Sequence, residues 1–167
     1  MSLILHILTI PLAILYSQVM EWVLHKYVLH GLGKNKKSPW AFHWHAHHKK
    51  SRKQDFYDED YLDDWIGPPL REKIGLFVSV LAHSPLLIYV PLFFITLIIH
   101  AFRYYRIHKY AHLHPLWGKL FLTWHYDHHM GKNQDANWGV TTGWVDNLMG
   151  TRIKYHENDK RSTKKTY

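Results

Sequence analysis

The sequence predicts an all-α integral membrane protein, a helical bundle with a histidine-rich cap for two metal ions on its cytoplasmic side. Three observations lead there. Two long stretches carry no charge, basic residues crowd the segments after each of them, and 12 of the 16 histidines fall in two short windows beside them.

Composition narrows the classes. A length of 167 residues suits one domain; it is placed at 1–155, with a polar basic tail at 156–167. The chain has no cysteine, which excludes disulfide frameworks, thiolate zinc sites, iron–sulfur clusters and a cysteine nucleophile. At 47% hydrophobic and 16% aromatic residues it is no disordered chain. Its mean hydropathy of -0.30 averages long apolar stretches with very polar ones.

Residues 1–20 are uncharged, and the apolar pattern continues through Trp22, Val23 and Leu24 after Glu21. A membrane crossing needs about 20 apolar residues for a core of about 30 Å, so a span is expected over about 3–24. A cleaved signal peptide is the alternative, but no basic leading region and no small-residue cleavage site are seen. The second uncharged stretch, Ile74–Phe102, lies between Lys73 and Arg103 and gives a span over about 74–102.

The basic residues set the sides. Lys34, Lys36, Lys37, Lys49, Lys50, Arg52 and Lys53 follow the first stretch; Arg103, Arg106 and Lys109 follow the second. The positive-inside rule puts both groups in the cytoplasm. The second stretch must then cross an even number of times, as a hairpin or a re-entrant pair. Ser84-Pro85 and Pro91 are the expected breaks, since proline interrupts helix hydrogen bonding. Trp22, Tyr27, Tyr104 and Tyr105 suit the interfacial belt. The run KKSRK could suggest nucleic acid, but no nucleic-acid fold signature accompanies it, and no such partner is expected.

DFYDEDYLDD, from Asp55, collects six acids between the spans. It reads as a solvated loop or helix start, with docking of a basic electron-donor protein as the sharper alternative. Gly67-Pro68-Pro69 marks a turn before the second stretch.

The first histidine window holds His25, His30, His43, His45, His47 and His48, and the second His108, His112, His114, His125, His128 and His129. Residues three or four apart share a helix face, which aligns His108 with His112 and His125 with His128 and His129. His25 and His30 are five apart and need a helix end or a local bulge to face the same way. Ten or more imidazoles exceed the roughly four ligands of one zinc ion and suit two ions with four or five nitrogens each. His6, His83, His100 and His156 stand apart and read as core or surface residues; His114 before Pro115 reads as a turn cap. A pH-sensing or metal-scavenging surface would not need helical spacing repeated beside two spans.

The windows contain no HExxH motif and no Glu-x-x-His ligand pattern of soluble di-iron bundles. An all-nitrogen, two-metal site at a membrane surface remains, and oxygen chemistry on a lipid is its natural use.

Four blocks carry a resemblance: HKYVLHG from His25, FHWHAHHKK from Phe42, HKYAH from His108, and WHYDHHMGKNQDANWGVTTGWVDNLMGTR from Trp124. Over residues 18–155 the sequence resembles the fatty acid hydroxylase superfamily of membrane di-iron enzymes, which also holds sterol desaturases and carotenoid hydroxylases. The resemblance implies His25, His30, His47, His48, His108, His112, His125, His128 and His129 as metal ligands. The family's first tight group usually reads HxxHH, but here position 44 is Trp44, so His43 and His45 both stand as candidates for the missing ligand. Asp127, Asn137 and Asp146 are candidates for orienting the rings; for the last two, turn chemistry near Gly139 and Gly150 is the alternative.

The resemblance further implies two iron ions, with zinc possible as purified, and O2 as co-substrate. It implies hydroxylation or desaturation of a fatty acyl, sterol or carotenoid C–H bond, with no catalytic side chain beyond the ligands. Electrons would come from an external cytochrome b5- or ferredoxin-like protein, since neither a dinucleotide-binding fingerprint nor a haem-domain motif appears. The alternative is a zinc-loaded or non-redox metal-binding membrane protein of the same fold.

Overall fold

A computed structural model of the chain describes residues 3–155; the tail at 156–167, with His156, lies outside the described residues. The described residues are helical, with no strand. Helix α1 (Leu3–Val23) runs without interruption into a π-helical segment, Leu24–Leu32. A second π-helical segment, His43–His48, continues into the short α2 (Lys49–Lys53). A 3-10 turn at Glu59–Leu62 precedes α3 (Gly67–Ala82). Then come α4 (Leu86–Tyr89), α5 (Pro91–Leu113), α6 (Pro115–Phe121), α7 (Thr123–Met130) and α8 (Trp144–Leu148).

The sequence punctuation explains the boundaries. Gly67 has φ +62, a conformation that suits glycine, and the two prolines after it occupy the first helical turn of α3, where no amide partner is lost. The second uncharged stretch breaks after Ala82, where the His83 ring hydrogen-bonds through Nδ1 to the Ser79 carbonyl at 2.7 Å. Pro85 and Pro91 stand at the starts of α4 and α5.

Helices α3 and α5 therefore run antiparallel: Glu72 meets His108 near one end, while Val80 and Leu97 line one cavity further along. Helix α1 lies parallel to α5, with Glu21 beside His100 at 3.5 Å and Tyr16 beside Phe93. This arrangement brings the end of α1, the start of α3 and the end of α5 to one side, and both histidine windows with them.

Many outward-facing side chains on the three long helices are apolar, among them Leu12, Phe77, Ile99 and Phe102. Contiguous exposed apolar surface marks a membrane or protein interface. One helix among the described residues, Ile4–Leu32, is long and apolar enough to cross a membrane. The opposite end is packed instead. Phe56, Tyr104, Ala111, Leu122, Tyr126 and Val140 form one buried cluster, and Trp22, Trp138 and Val145 form another. The histidines lie between them.

Candidate metal centre

The two π-helical segments solve the spacing problem in the first window. Residues five apart on an α-helix point roughly 140° away from each other. In a π-helix the hydrogen bond runs from i to i+5, and residues five apart come onto one side. His25 and His30 occupy one such segment, and His43 and His48 the other. All four join His128 of α7 in a single buried group.

The ring nitrogens converge in that group. Nε2 of His25 lies 3.0 Å from Nε2 of His43, and Nε2 of His30 lies 3.0 Å from that of His48. Nε2 of His128 is 3.1 Å from both His30 and His48, and His43 is 3.2 Å from His48. A second buried group takes His47, His108, His112 and His129. The Nε2 atoms of His47, His108 and His129 are buried without a hydrogen-bond partner. Buried polar atoms are normally satisfied, so three unmatched lone pairs meeting at one point call for a cation. His125, fully buried, stands beside this group with its Nε2 3.2 Å from Nε2 of His112.

Adjacent residues thus serve different positions: His47 and His48 separate between the two groups, as do His128 and His129. Of the pair flanking Trp44, His43 enters the five-histidine group. His45 turns away and its Nε2 bonds the Lys34 carbonyl at 2.9 Å.

The far nitrogens of His125 and His129 are buried without a hydrogen-bond partner. Several of the others are held from outside, which favours the tautomer that leaves Nε2 free to ligate. One short segment does this for most of the first group. The Trp138 carbonyl accepts from His25 Nδ1 and the Ala136 carbonyl from His128 Nδ1, both at 2.6 Å. Asp135 faces His30 Nδ1 at 3.4 Å, and the Gln134 amide lies 3.1 Å from His48 Nδ1. In the second group His47 Nδ1 donates to Asp58 Oδ2 at 2.7 Å and His108 Nδ1 to Glu72 Oε1 at 2.6 Å. Tyr61 donates to the other Glu72 oxygen at 2.6 Å. His112 Nδ1 donates to the Phe56 carbonyl at 2.8 Å. Phe56 holds φ +77, unusual for a bulky residue, and its ring is buried against that of His112. The strained backbone is what aims this carbonyl.

Asp127, Asn137 and Asp146 support the frame. Asp127 pairs with Arg152 at 2.9 Å. Asn137 accepts from Arg152 and from the Ile153 amide. Asp146 accepts from the Trp138 and Gly139 amides, each at 2.8 Å, and from the Trp22 indole. It therefore orients His25 at one remove, through the Trp138 peptide. Glu21 holds the residues that follow: its carboxylate takes the Val140 amide, the Thr141 amide at 2.7 Å and the Thr141 hydroxyl at 2.8 Å.

The acids in contact with the second group escaped sequence reasoning. Asp58 lies in the acidic run read as solvated, yet it is completely buried. Its neighbours are engaged too, Asp60 with Lys50 and Asp64 with Lys109 and Tyr105. Nothing in the run distinguishes Asp58 from the others; only its contact eleven residues back does. Glu72 offered a weak signal, as an acid on the helix that begins the second apolar stretch. Among the isolated histidines, His83 bonds the Tyr16 hydroxyl at 2.7 Å, and His100 faces Glu21.

Burial dominates the electrostatics. It holds His43, His48 and His129 well below the usual imidazole range, reinforced by neighbouring imidazoles. It lowers His128 to about 4, against a partly offsetting bond to the Ala136 carbonyl. His47 is lowered by burial as well, with Asp58 pulling the other way. Neutral imidazoles are the ligating form. The arrangement can hold two metal ions side by side, each ringed by nitrogen, out of contact with bulk water.

The fatty acid hydroxylase family model matches residues 10–151. No curated protein and no solved structure matches the chain.

Proposed function

The chain belongs to the fatty acid hydroxylase family, and from that premise we propose that it is a membrane-bound di-iron oxygenase that hydroxylates or desaturates a lipid C–H bond. The observation that carries this reading is the pair of buried, all-histidine groups of five and four, side by side at one end of an apolar helical layer. Two iron ions held by these histidines would supply oxygen activation for C–H cleavage, with the electrons drawn from an external donor.

The chain's own residues bind, orient and shield. Nδ1 contacts from Asp58, Glu72, Phe56, Ala136 and Trp138 lock the imidazoles, so ligands need not reorganise during turnover. Phe56, Trp138 and Tyr61 wall the rings on their outer sides and keep water away from reactive species. The apolar surfaces of α1, α3 and α5 would lie in the bilayer, with the histidines on the cytoplasmic side where the basic residues gather. A lipid then reaches the metals from the membrane without crossing water.

Electrons come from a separate donor protein of the cytochrome b5 or ferredoxin type. Its docking surface is the basic rim around Lys36, Lys37, Lys49 and Lys53, all exposed, because the acidic run is largely spent on internal pairs. Such charge steers association.

Purification in mild detergent with elemental analysis, alongside lipid profiling of the expression host, tests the reading. About two irons per chain and a lipid gaining one oxygen are expected for hydroxylation, or a lipid losing two hydrogens for desaturation. A chain that holds no metal and leaves the lipids unchanged would refute it.

A further inference from the structure

The two metal positions share a ligand type but not an outer environment. At the four-histidine position, two carboxylates bear directly on ligand rings: Asp58 on His47 at 2.7 Å and Glu72 on His108 at 2.6 Å. Asp58 is fully buried and Glu72 nearly so. At the five-histidine position, the two short Nδ1 contacts are to neutral backbone carbonyls, those of Trp138 and Ala136. Its one carboxylate, Asp135, is half exposed, sits 3.4 Å from His30, and is neutralised by Lys34 at 2.6 Å.

We propose that the two positions are inequivalent, the four-histidine one binding metal more tightly and filling first, with Asp58 and Glu72 as the positioning residues responsible. The proposal rests on the di-metal reading above. A buried carboxylate behind a ligating imidazole raises the basicity of the ring, and loss of such a partner costs about 10–100-fold in metal affinity. Two buried negative charges also offset the dication in a low-dielectric interior, where Coulomb terms are strong. The Asp135 charge acts through solvent and is already paired, so it contributes little. Donor number does not reverse the order, because His125 stands beside the four-histidine group as a fifth imidazole, 3.2 Å from His112.

The test is a cobalt(II) titration of the full-length chain in detergent, stripped of metal, followed by equilibrium dialysis and visible absorption. Cobalt absorption follows each equivalent bound, and the variants show which position a step belongs to. Two steps of different affinity are expected. Asp58→Asn and Glu72→Gln should each weaken that first step about 10–100-fold and leave the other step in place. Asp135→Asn, at an exposed position where folding is not at risk, should touch only the weaker step. Two equal steps in the unaltered chain would overturn the inference and leave the di-metal reading standing. So would a first step that Glu72→Gln and Asp58→Asn leave unchanged, or one that Asp135→Asn weakens. An unaltered chain that binds no cobalt would overturn both.

Discussion

Asp58 reaches His47 at 2.7 Å with neither side chain exposed to solvent, and its other oxygen takes the Asp60 amide at 3.1 Å. One carboxylate thus orients a ligand ring and caps the 3-10 turn that follows. Asp58→Ala removes a cap worth about 1 kcal/mol and strands a buried imidazole N–H at a cost of about 1–3 kcal/mol. Denaturant unfolding of the metal-stripped chain should show a loss of about 2–4 kcal/mol. Glu59→Ala, at the exposed neighbour, should stay within about 0.5 kcal/mol.

His128 and His129 are adjacent but belong to different groups. Alanine at either should cost one metal of the pair, and alanine at both should abolish metal binding and activity while helix content by circular dichroism is kept. His45→Ala, by contrast, should leave metal content unchanged, since that ring bonds the Lys34 carbonyl. Elemental analysis of the purified variants checks all of these.

The buried imidazoles make the metal-free chain sensitive to acid. His128 titrates near 4 in the folded chain against 6.5 in the unfolded one. Between these values the unfolded state binds more protons, so stability falls as pH drops from 6.5 towards 4. His128 alone accounts for roughly 3 kcal/mol of that loss, and His43, His48 and His129 act in the same direction. Melting temperatures of the metal-stripped chain should hold from pH 7.5 to about pH 6.5 and decline from there to pH 5; a flat profile down to pH 5 would contradict the burial of these rings.

Gly33 sits where the first π-helical segment ends. A side chain there would meet the Leu29 carbonyl oxygen at 1.9 Å and the Trp40 carbonyl oxygen at 2.9 Å. Both are backbone atoms, so relief requires the chain between the two π-helical segments to shift. Gly33→Ala should destabilise by about 1–3 kcal/mol or more and loosen metal at the five-histidine position first, as seen by dialysis.

The proposed topology is open to cysteine labelling, because the chain has no cysteine of its own. In sealed vesicles, an impermeant thiol reagent should reach Lys36→Cys and Lys132→Cys from the same side, and Ile88→Cys only from the other side or not at all. Labelling of positions 36 and 132 from opposite sides would rule out the hairpin arrangement in the bilayer.

Much of this architecture was legible in the residues. Uncharged runs announced the long helices, Pro85 and Pro91 announced the break between α3 and α5, and the crowding of imidazoles announced a metal site. Those signals are local: proline geometry, apolar run length and the count of one side-chain type survive in a linear string. The sharing of histidines between positions was not legible, because an α-helical template pairs His43 with His47. The backbone instead winds as π-helix, pairing His43 with His48 and sending His47 to the other group.

The sequence by itself determined that this chain has apolar helices and imidazoles enough for more than one metal. Only the tertiary structure decided which imidazoles face which position, and that Asp58, Glu72 and the carbonyls of Phe56, Ala136 and Trp138 hold them. The physical reason is range. A helix and its ligands are written within a few residues, whereas the partner of a ligand's far nitrogen comes from wherever the fold carries it, 113 residues away for His25 and Trp138. Such a contact exists only once the helices have packed, when a buried N–H must find an acceptor.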